Sequence, residues 1–193
     1  MLSISNDEFP DIGDRILDAA AGCVAAYGVD RVTLAEIARR ARVSRPTVYR
    51  RWPDTRSILA ALLTARITDV LREVPSRGVG RKPLVQRIVA VAEHIRRDDV
   101  ISSVLHSAPE LAMVYISERL GTSQQILIDA VAAELKAAQA EGSVRAGDPD
   151  QLAAMCLLIT QSTIQSAQIV EPILDADALG LELARCLNGY LKP

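Results

Sequence analysis

The run from Thr33 to Trp52 constrains the fold more than any other stretch of the chain. It reads as two short helices joined by a tight turn. Thr33 suits an N-cap, and Glu36 stands three residues on, the spacing of a capping box. Leu34, Ile37, Ala38 and Ala41 recur at helical spacing, so the first of the two helices buries one face. Val43 fills the turn. Ser44 caps the second helix, and Pro46 falls in its first turn, where a missing N–H costs little. Val48 faces back towards the first helix. Arg45, Thr47, Tyr49, Arg50 and Arg51 are left on or beside the open face. A short helix with an apolar back and a front of Arg, Thr and Tyr suits the major groove of DNA.

Charge supports that reading through its distribution. The net charge of the chain is −2, which alone argues against a nucleic-acid partner. Between Arg31 and Arg56, however, eight Arg face only Glu36 and Asp54, a local balance of +6. The first thirty residues carry −5 and residues 57–193 carry −3. A compact basic patch on an acidic protein is the footprint of a site-specific DNA binder. All eight cations are Arg, which reads guanine edges and phosphates bidentately where Lys offers a point charge. Aromatic residues are only 3% of the chain, which argues against binding single strands or RNA by base stacking.

The segment from about Ile16 to Leu59 resembles the DNA-binding domain of the tetracycline-repressor (TetR-like) family of bacterial transcription regulators. The matching pieces are Arg15-Ile16-Leu17-Asp18-Ala19-Ala20, Tyr27-Gly28, Val32 to Ala38, and Val43 to Pro53. Their order and spacing agree over more than forty residues, far more than a lone helix-turn-helix pattern requires. The resemblance implies an all-α fold of about nine helices. A three-helix N-terminal head is joined by a long helix to a helical C-terminal body. The expected division is residues 1–56 for DNA binding and 57–193 for effector binding and dimerisation.

The same resemblance assigns the contacts. Thr33, Ser44, Tyr49 and Arg51 are expected to hold phosphates, and Arg45, Pro46, Thr47 and Arg50 to lie nearest base edges. Three positions depart from the family pattern. Glycine is usual in the turn where this chain has Arg42, so a positive φ there would strain the backbone. A phosphate-gripping lysine is usual where Thr55 stands, and Arg56 is the nearest substitute. A large aromatic is usual where Val24 stands, leaving Trp52 or Tyr27 to fill the head's core.

In chain order, Met1 to Pro10 reads as an arm, and the first helix runs from about Asp11 to Tyr27. Its expected buried stripe is Ile12, Ile16, Ala19, Ala20, Cys23, Val24 and Tyr27, with Gly28 as a left-handed stop. Asp54 caps the long fourth helix, which spans about 20 residues at 1.5 Å each. Pro75 to Pro83 is a loop. Further helices are expected over about Leu84 to Ile95, Val100 to Ser107, Pro109 to Gly121, from Thr122 or Ser123 to Ala138, Pro149 to Val170, and Asp177 to Leu191. The fourth of these six has Ile126, Leu127, Ala130, Val131, Leu135 and Ala138 as its inward positions. The last two are apolar on more than one side and need a second cover. A second copy of the chain is the expected one, giving a homodimer that reads a palindrome in double-stranded DNA.

The resemblance also implies a small-molecule pocket in the body. Polar or soft residues set in apolar patterns are its candidate lining: His94, His106, Met113, Tyr115, Gln161 and Gln165. No cofactor and no metal site is expected. Cys23, Cys156 and Cys186 are dispersed within apolar helical patterns and read as core residues, with no CxxC pair or His/Cys cluster. The longest strongly apolar run, Leu152 to Ile159, is short of the ~20 residues that span a bilayer. The acidic N-terminus does not read as a secretory signal, so a cytoplasmic location is expected. Three rivals stay in view. An enzyme lacks any paired-carboxylate, nucleophile or phosphate-loop motif. A helical adaptor would have no use for the Arg front. An activator or ligand-independent regulator differs from a repressor in nothing that the sequence shows.

Overall fold

The structure is a computed structural model that describes residues 11–107 and 121–193. The expected arm and the expected helix from Pro109 lie outside the described residues, as do Met113 and Tyr115. Among the described residues there are nine α-helices and no strand. They are α1 (Ile12–Tyr27), α2 (Leu34–Ala41), α3 (Arg45–Arg51), α4 (Thr55–Glu73), α5 (Arg81–Arg97), α6 (Asp99–Ser107), α7 (Thr122–Ala140), α8 (Pro149–Val170) and α9 (Ala176–Leu191).

Local chemistry sets most of the boundaries. Asp11 caps α1, accepting the Gly13 N–H, and Gly28 ends it with φ 75°. Asp54 and Ser57 form a complete capping box at the start of α4. Asp98 ends α5 and starts α6, its Oδ1 accepting the N–H groups of Val100 and Ile101 at 2.9 Å each. Asp148 followed by Pro149 opens α8, and Asp175 caps α9. Two caps differ from expectation. Glu36 turns its carboxylate to Arg39 at 2.6 and 2.8 Å, so the Thr33 side chain caps α2 with no reciprocal bond. The N-cap of α7 is Gly121, which places Thr122 and Ser123 inside the helix.

The core falls into two clusters. The first joins Ile16, Ala20, Cys23 and Val24 of α1 with Ile37 of α2 and Val48 of α3. It continues without a break through Ile58, Leu62 and Ile67 of α4 to Val91 and Ile95 of α5 and Val104 of α6. Val24 belongs to this shared cluster, and half-buried Trp52 packs against the cluster. Ile12 and Tyr27, expected in the stripe, are 43% and 46% exposed because they sit at the open ends of α1. The second cluster holds Leu84 and Val85 of α5, Ile128 and Leu135 of α7, Leu152 and Cys156 of α8, and Leu183 and Leu187 of α9. On α7 the buried residues are Ser123, Gln124, Ile128, Ala132, Leu135 and Ala138, and Ile126 is half-buried. Leu127, Ala130 and Val131 line a cavity instead.

Candidate nucleic-acid interface and effector cavity

The turn between α2 and α3 is held by backbone bonds. The Val43 N–H donates to Ala38 O at 3.0 Å and the Arg42 N–H to Arg39 O at 3.2 Å. This doubled closure requires a left-handed residue between the helix and Val43. Arg42 takes it, with φ 55° and ψ 44°, the one non-glycine residue with positive φ among the described residues. The Val43 side chain tucks against the first core cluster. Arg15 Nη2 donates to Ala41 O at 2.9 Å, fastening the end of α2 to α1.

That turn aims α3. Val48 is fully buried beneath it, while Arg45, Pro46, Tyr49, Arg50 and Arg51 are exposed. Ser44 Oγ accepts the Thr47 N–H at 3.3 Å and forms a hydroxyl–hydroxyl hydrogen bond with Thr47 Oγ1 at 2.7 Å. The Thr47 hydroxyl is thus engaged in the cap. The Trp52 N–H closes the helix on Val48 O before Pro53.

The cations of this face fall into two groups. Arg39 is paired with Glu36, whose carboxyl it holds below the usual range. Arg51 Nη1 reaches Asp11 Oδ2 at 3.2 Å. The Arg51 hydrogen bond, and then the Gly13 N–H, hold the Asp11 carboxyl below its ordinary value. By contrast Arg42, Arg45, Arg50 and Arg56 are exposed and make no ion pair among the described residues. Thr33 is an exposed cap and Thr55 a half-buried first residue of α4. The turn therefore gathers Arg42, Ser44, Arg45, Pro46, Thr47, Tyr49, Arg50 and Arg51 on or beside α3, while Thr33 stands at the opposite end of α2 and Thr55 and Arg56 at the start of α4. The tie between Arg51 and Asp11 had no signal in the sequence, since forty residues separate the two.

A cavity of about 1060 Å³ lies in the body, walled by α4, α5, α6, α7 and α8. Gln161 and Gln165 line it. His94 does not: it is exposed, and its Nδ1 stands 2.8 Å from Ala90 O of its own helix. His106 falls in the last turn of α6, with its side chain outside what is described. Sequence reasoning missed Ser123, Gln124, Thr160, Arg87 and Glu134, which also line the cavity. Arg87 and Glu134 form an ion pair with both side chains 17% exposed. Arg87 Nε also donates to Val74 O at 2.8 Å, and Ser76 Oγ donates to Glu134 at 3.0 Å. The pair therefore fastens the end of α4 to the cavity wall. Burial pushes the Cys156 thiol up to about 11, which keeps it protonated and unreactive at neutral pH. Among the described residues no group of three or more His, Cys, Asp or Glu is arranged to hold a metal ion.

On length and composition α8 could cross a membrane. It packs against α7 and α9. Met155, Leu158 and Ile169 of α8, Ile173 beyond it and Leu181 of α9 are exposed. Ile169 and Ile173 reach 81% and 86%.

Comparison with known proteins agrees with this architecture. The family model for bacterial regulatory proteins of the tetR family matches residues 16–62. A protein of Mycobacterium tuberculosis H37Rv, named as an uncharacterized HTH-type transcriptional regulator, is 68% identical over 191 residues, 99% of this chain and 100% of that one. Among solved structures, the TetR-family transcriptional repressor QsdR of R. erythropolis superposes with a TM-score of 0.68 at 16% identity, covering 94% of this chain and 96% of that one. The regulator FadR of Bacillus subtilis, solved with stearoyl-CoA, gives 0.64 at 19%, covering 92% and 98%.

Proposed function

Because the chain belongs to the TetR family of bacterial regulatory proteins and is a DNA-binding transcriptional regulator, we propose that it works as a homodimeric repressor, released from a palindromic operator by a small molecule. The observation that carries the reading is the α3 face, where Arg45 and Arg50 stand exposed and without an acidic partner among the described residues. An Arg that no acid neutralises is available to guanine and to phosphate. Arg45 and Arg50 are assigned to base edges, with Pro46 and Thr47 against thymine methyls. Thr33, Arg42, Ser44, Tyr49, Arg51, Thr55 and Arg56 are assigned to the backbone.

One recognition helix reads few base pairs, so two heads are needed for a specific site. The exposed apolar residues of α8 and α9 supply a surface for the second copy. Two-faced apolar helices need a cover, and one from an identical chain also makes the site palindromic. The work divides near residue 56, with DNA contacts before it and ligand and partner contacts after it. The cavity, about 1060 Å³ and mainly apolar in its lining, is the seat assigned to the effector. The setting is the cytoplasm, where the operator is.

Selection of bound sites from a random double-stranded pool tests the reading. The expected product is a palindrome with half-site centres about 34 Å or more apart. A pool with no enriched sequence would refute it. Sedimentation of the free protein tests the dimer, and a monomer at micromolar concentration would refute that part.

A further inference from the structure

We propose that the cavity is built for a neutral, mainly aliphatic molecule that presents a carbonyl oxygen to the start of α7. This deepens the effector assignment above and rests on it. Ser123 lies in the second position of α7 and in the cavity wall. It is fully buried, and its Oγ has no hydrogen-bond partner. A buried hydroxyl without a partner costs free energy, which a folded protein recovers only when something bonds to it.

The surrounding groups show what that something is. The Gly121 N–H donates to Gln124 Oε1 at 2.8 Å, which fixes the orientation of that amide. Gln124 Nε2 then donates to Gln161 Oε1 at 3.1 Å. Gln161 is left with its Nε2 as the open end of the chain, a donor. The first-turn N–H groups of α7 have no acceptor within the helix. Ser123 can donate as well. Donors therefore outnumber acceptors at this end, and the missing partner is an acceptor oxygen.

Of the other polar groups in the wall, Thr122 and Gln165 are exposed, and the less exposed ones are occupied. Thr64 and Thr160 donate to Ala60 O and Cys156 O of their own helices. Arg87 is spent on Glu134, Val74 O and Leu71 O. Arg56 is exposed at the α4 end of the wall, beside Asp54. Arg56 is the one unpaired cation of the wall among the described residues and stands at its α4 end, so a carboxylate at the start of α7 would have no counter-charge beside it, which is costly. An ester, lactone or amide brings the same oxygen without that cost. The remaining lining, including Leu63, Ile67, Ile88, Val91, Leu127 and Ile164, is aliphatic and takes the chain.

Three probes of one length test this on the full-length protein at pH 8: methyl dodecanoate, dodecanoate and dodecyl methyl ether. The ester and the ether differ essentially by the carbonyl oxygen. The ester is expected to bind about tenfold tighter than the ether, and dodecanoate more weakly than the ester. In Ser123→Ala that ester-over-ether ratio is expected to fall about threefold or more. The melting temperature of the ligand-free variant is not expected to fall, because the hydroxyl it loses was unpaired. Leu127→Trp, which intrudes on the cavity one helical turn from Ser123, is expected to weaken binding of all three, whereas adsorption on the exposed faces of α8 and α9 would be unchanged.

Equal binding of ester and ether, an unchanged ratio in Ser123→Ala, tighter binding of dodecanoate, or no binding of any probe would each overturn the proposal. Release of the selected DNA site is scored separately. Ester binding that depends on Ser123 but leaves the DNA bound would refute relief by ligand and leave the carbonyl site standing.

Discussion

Arg51 Nη1 lies 3.2 Å from the Asp11 carboxylate oxygen that also accepts the Gly13 N–H. One oxygen thus caps α1 and holds a cation of α3, so Arg51 would have to leave the acid to take up its proposed phosphate contact. Gly13 makes the approach possible: a Cβ there would stand 2.5 Å from Arg51 Nη1.

Asp11→Asn is expected to release Arg51 to the phosphates while keeping a capping side chain. Affinity should rise on operator and random DNA alike, and the slope of log K against log salt should steepen by about 1. Titrations at several salt concentrations measure both. An unchanged slope would show that Arg51 does not reach phosphate.

Arg45→Ala is expected to weaken operator binding by about 1–3 kcal/mol and to relax base choice at one position of each half-site. Tyr49→Phe should lower affinity by a similar factor on every sequence. Binding assays against a panel of single-base operator variants separate the two patterns. A base-specific loss in Tyr49→Phe would contradict its phosphate role.

Arg42→Gly removes a side chain from a left-handed backbone and should stabilise the fold by about 1 kcal/mol. It should also weaken DNA binding by removing a cation beside the turn. Denaturant melts read the first effect and electrophoretic titrations the second. A destabilised Arg42→Gly would mean that the arginine stem contributes more packing than the strain removes.

Arg87→Met strands Glu134 in the cavity wall and leaves the carbonyls at the end of α4 without their donor. The expected loss is on the order of 2–4 kcal/mol, near the lower part of the range for breaking buried pairs because water still reaches both side chains. The double variant Arg87→Met, Glu134→Leu should recover much of it. Failure of the second change to rescue would show that the carbonyl bonds of Arg87, rather than the ion pair, carry the effect.

Acid should loosen the start of α4. The Ser57 backbone N–H, and then its side chain, hold the Asp54 carboxyl below its ordinary value. The unfolded chain therefore binds that proton more readily than the native one. The stabilisation is complete above the ordinary carboxylate value near 4 and fades as pH falls through the lowered native value. Asp54→Asn should flatten the acid limb of the melting-temperature profile. A limb of unchanged steepness would assign it to other carboxylates, Asp11 and Glu36 first.

The head was readable because its signals are local. Thr33, Ser44, Asp54 and Asp148 act within three residues of themselves, and the stripe of Leu34, Ile37, Ala38 and Ala41 follows from helical period alone. The strain at Arg42 was readable too, because the turn admits few backbone solutions. The cavity was less so. Gln161 and Gln165 stood out as polar breaks in an apolar helix, but His94 makes the same kind of break and points to solvent. Ser123 looked like a cap, since one residue of shift in the start of α7 separates a cap from a buried orphan. Arg87 and Glu134 are 47 residues apart and look like ordinary surface charges until α5 and α7 are packed together.

The first core cluster runs from Val48 beneath the recognition helix to Val104 of α6. A head of this kind is not a detachable cassette. Moving residues 1–56 onto another body would set Ile16, Cys23 and Val48 against a foreign α4 and α6, and the graft would fold only where those faces match. Head and body are thus inherited as a packed pair. A lineage can drift freely in Arg45, Pro46 and Thr47, whose side chains the core does not hold, and so acquire new target sites without exchanging its body.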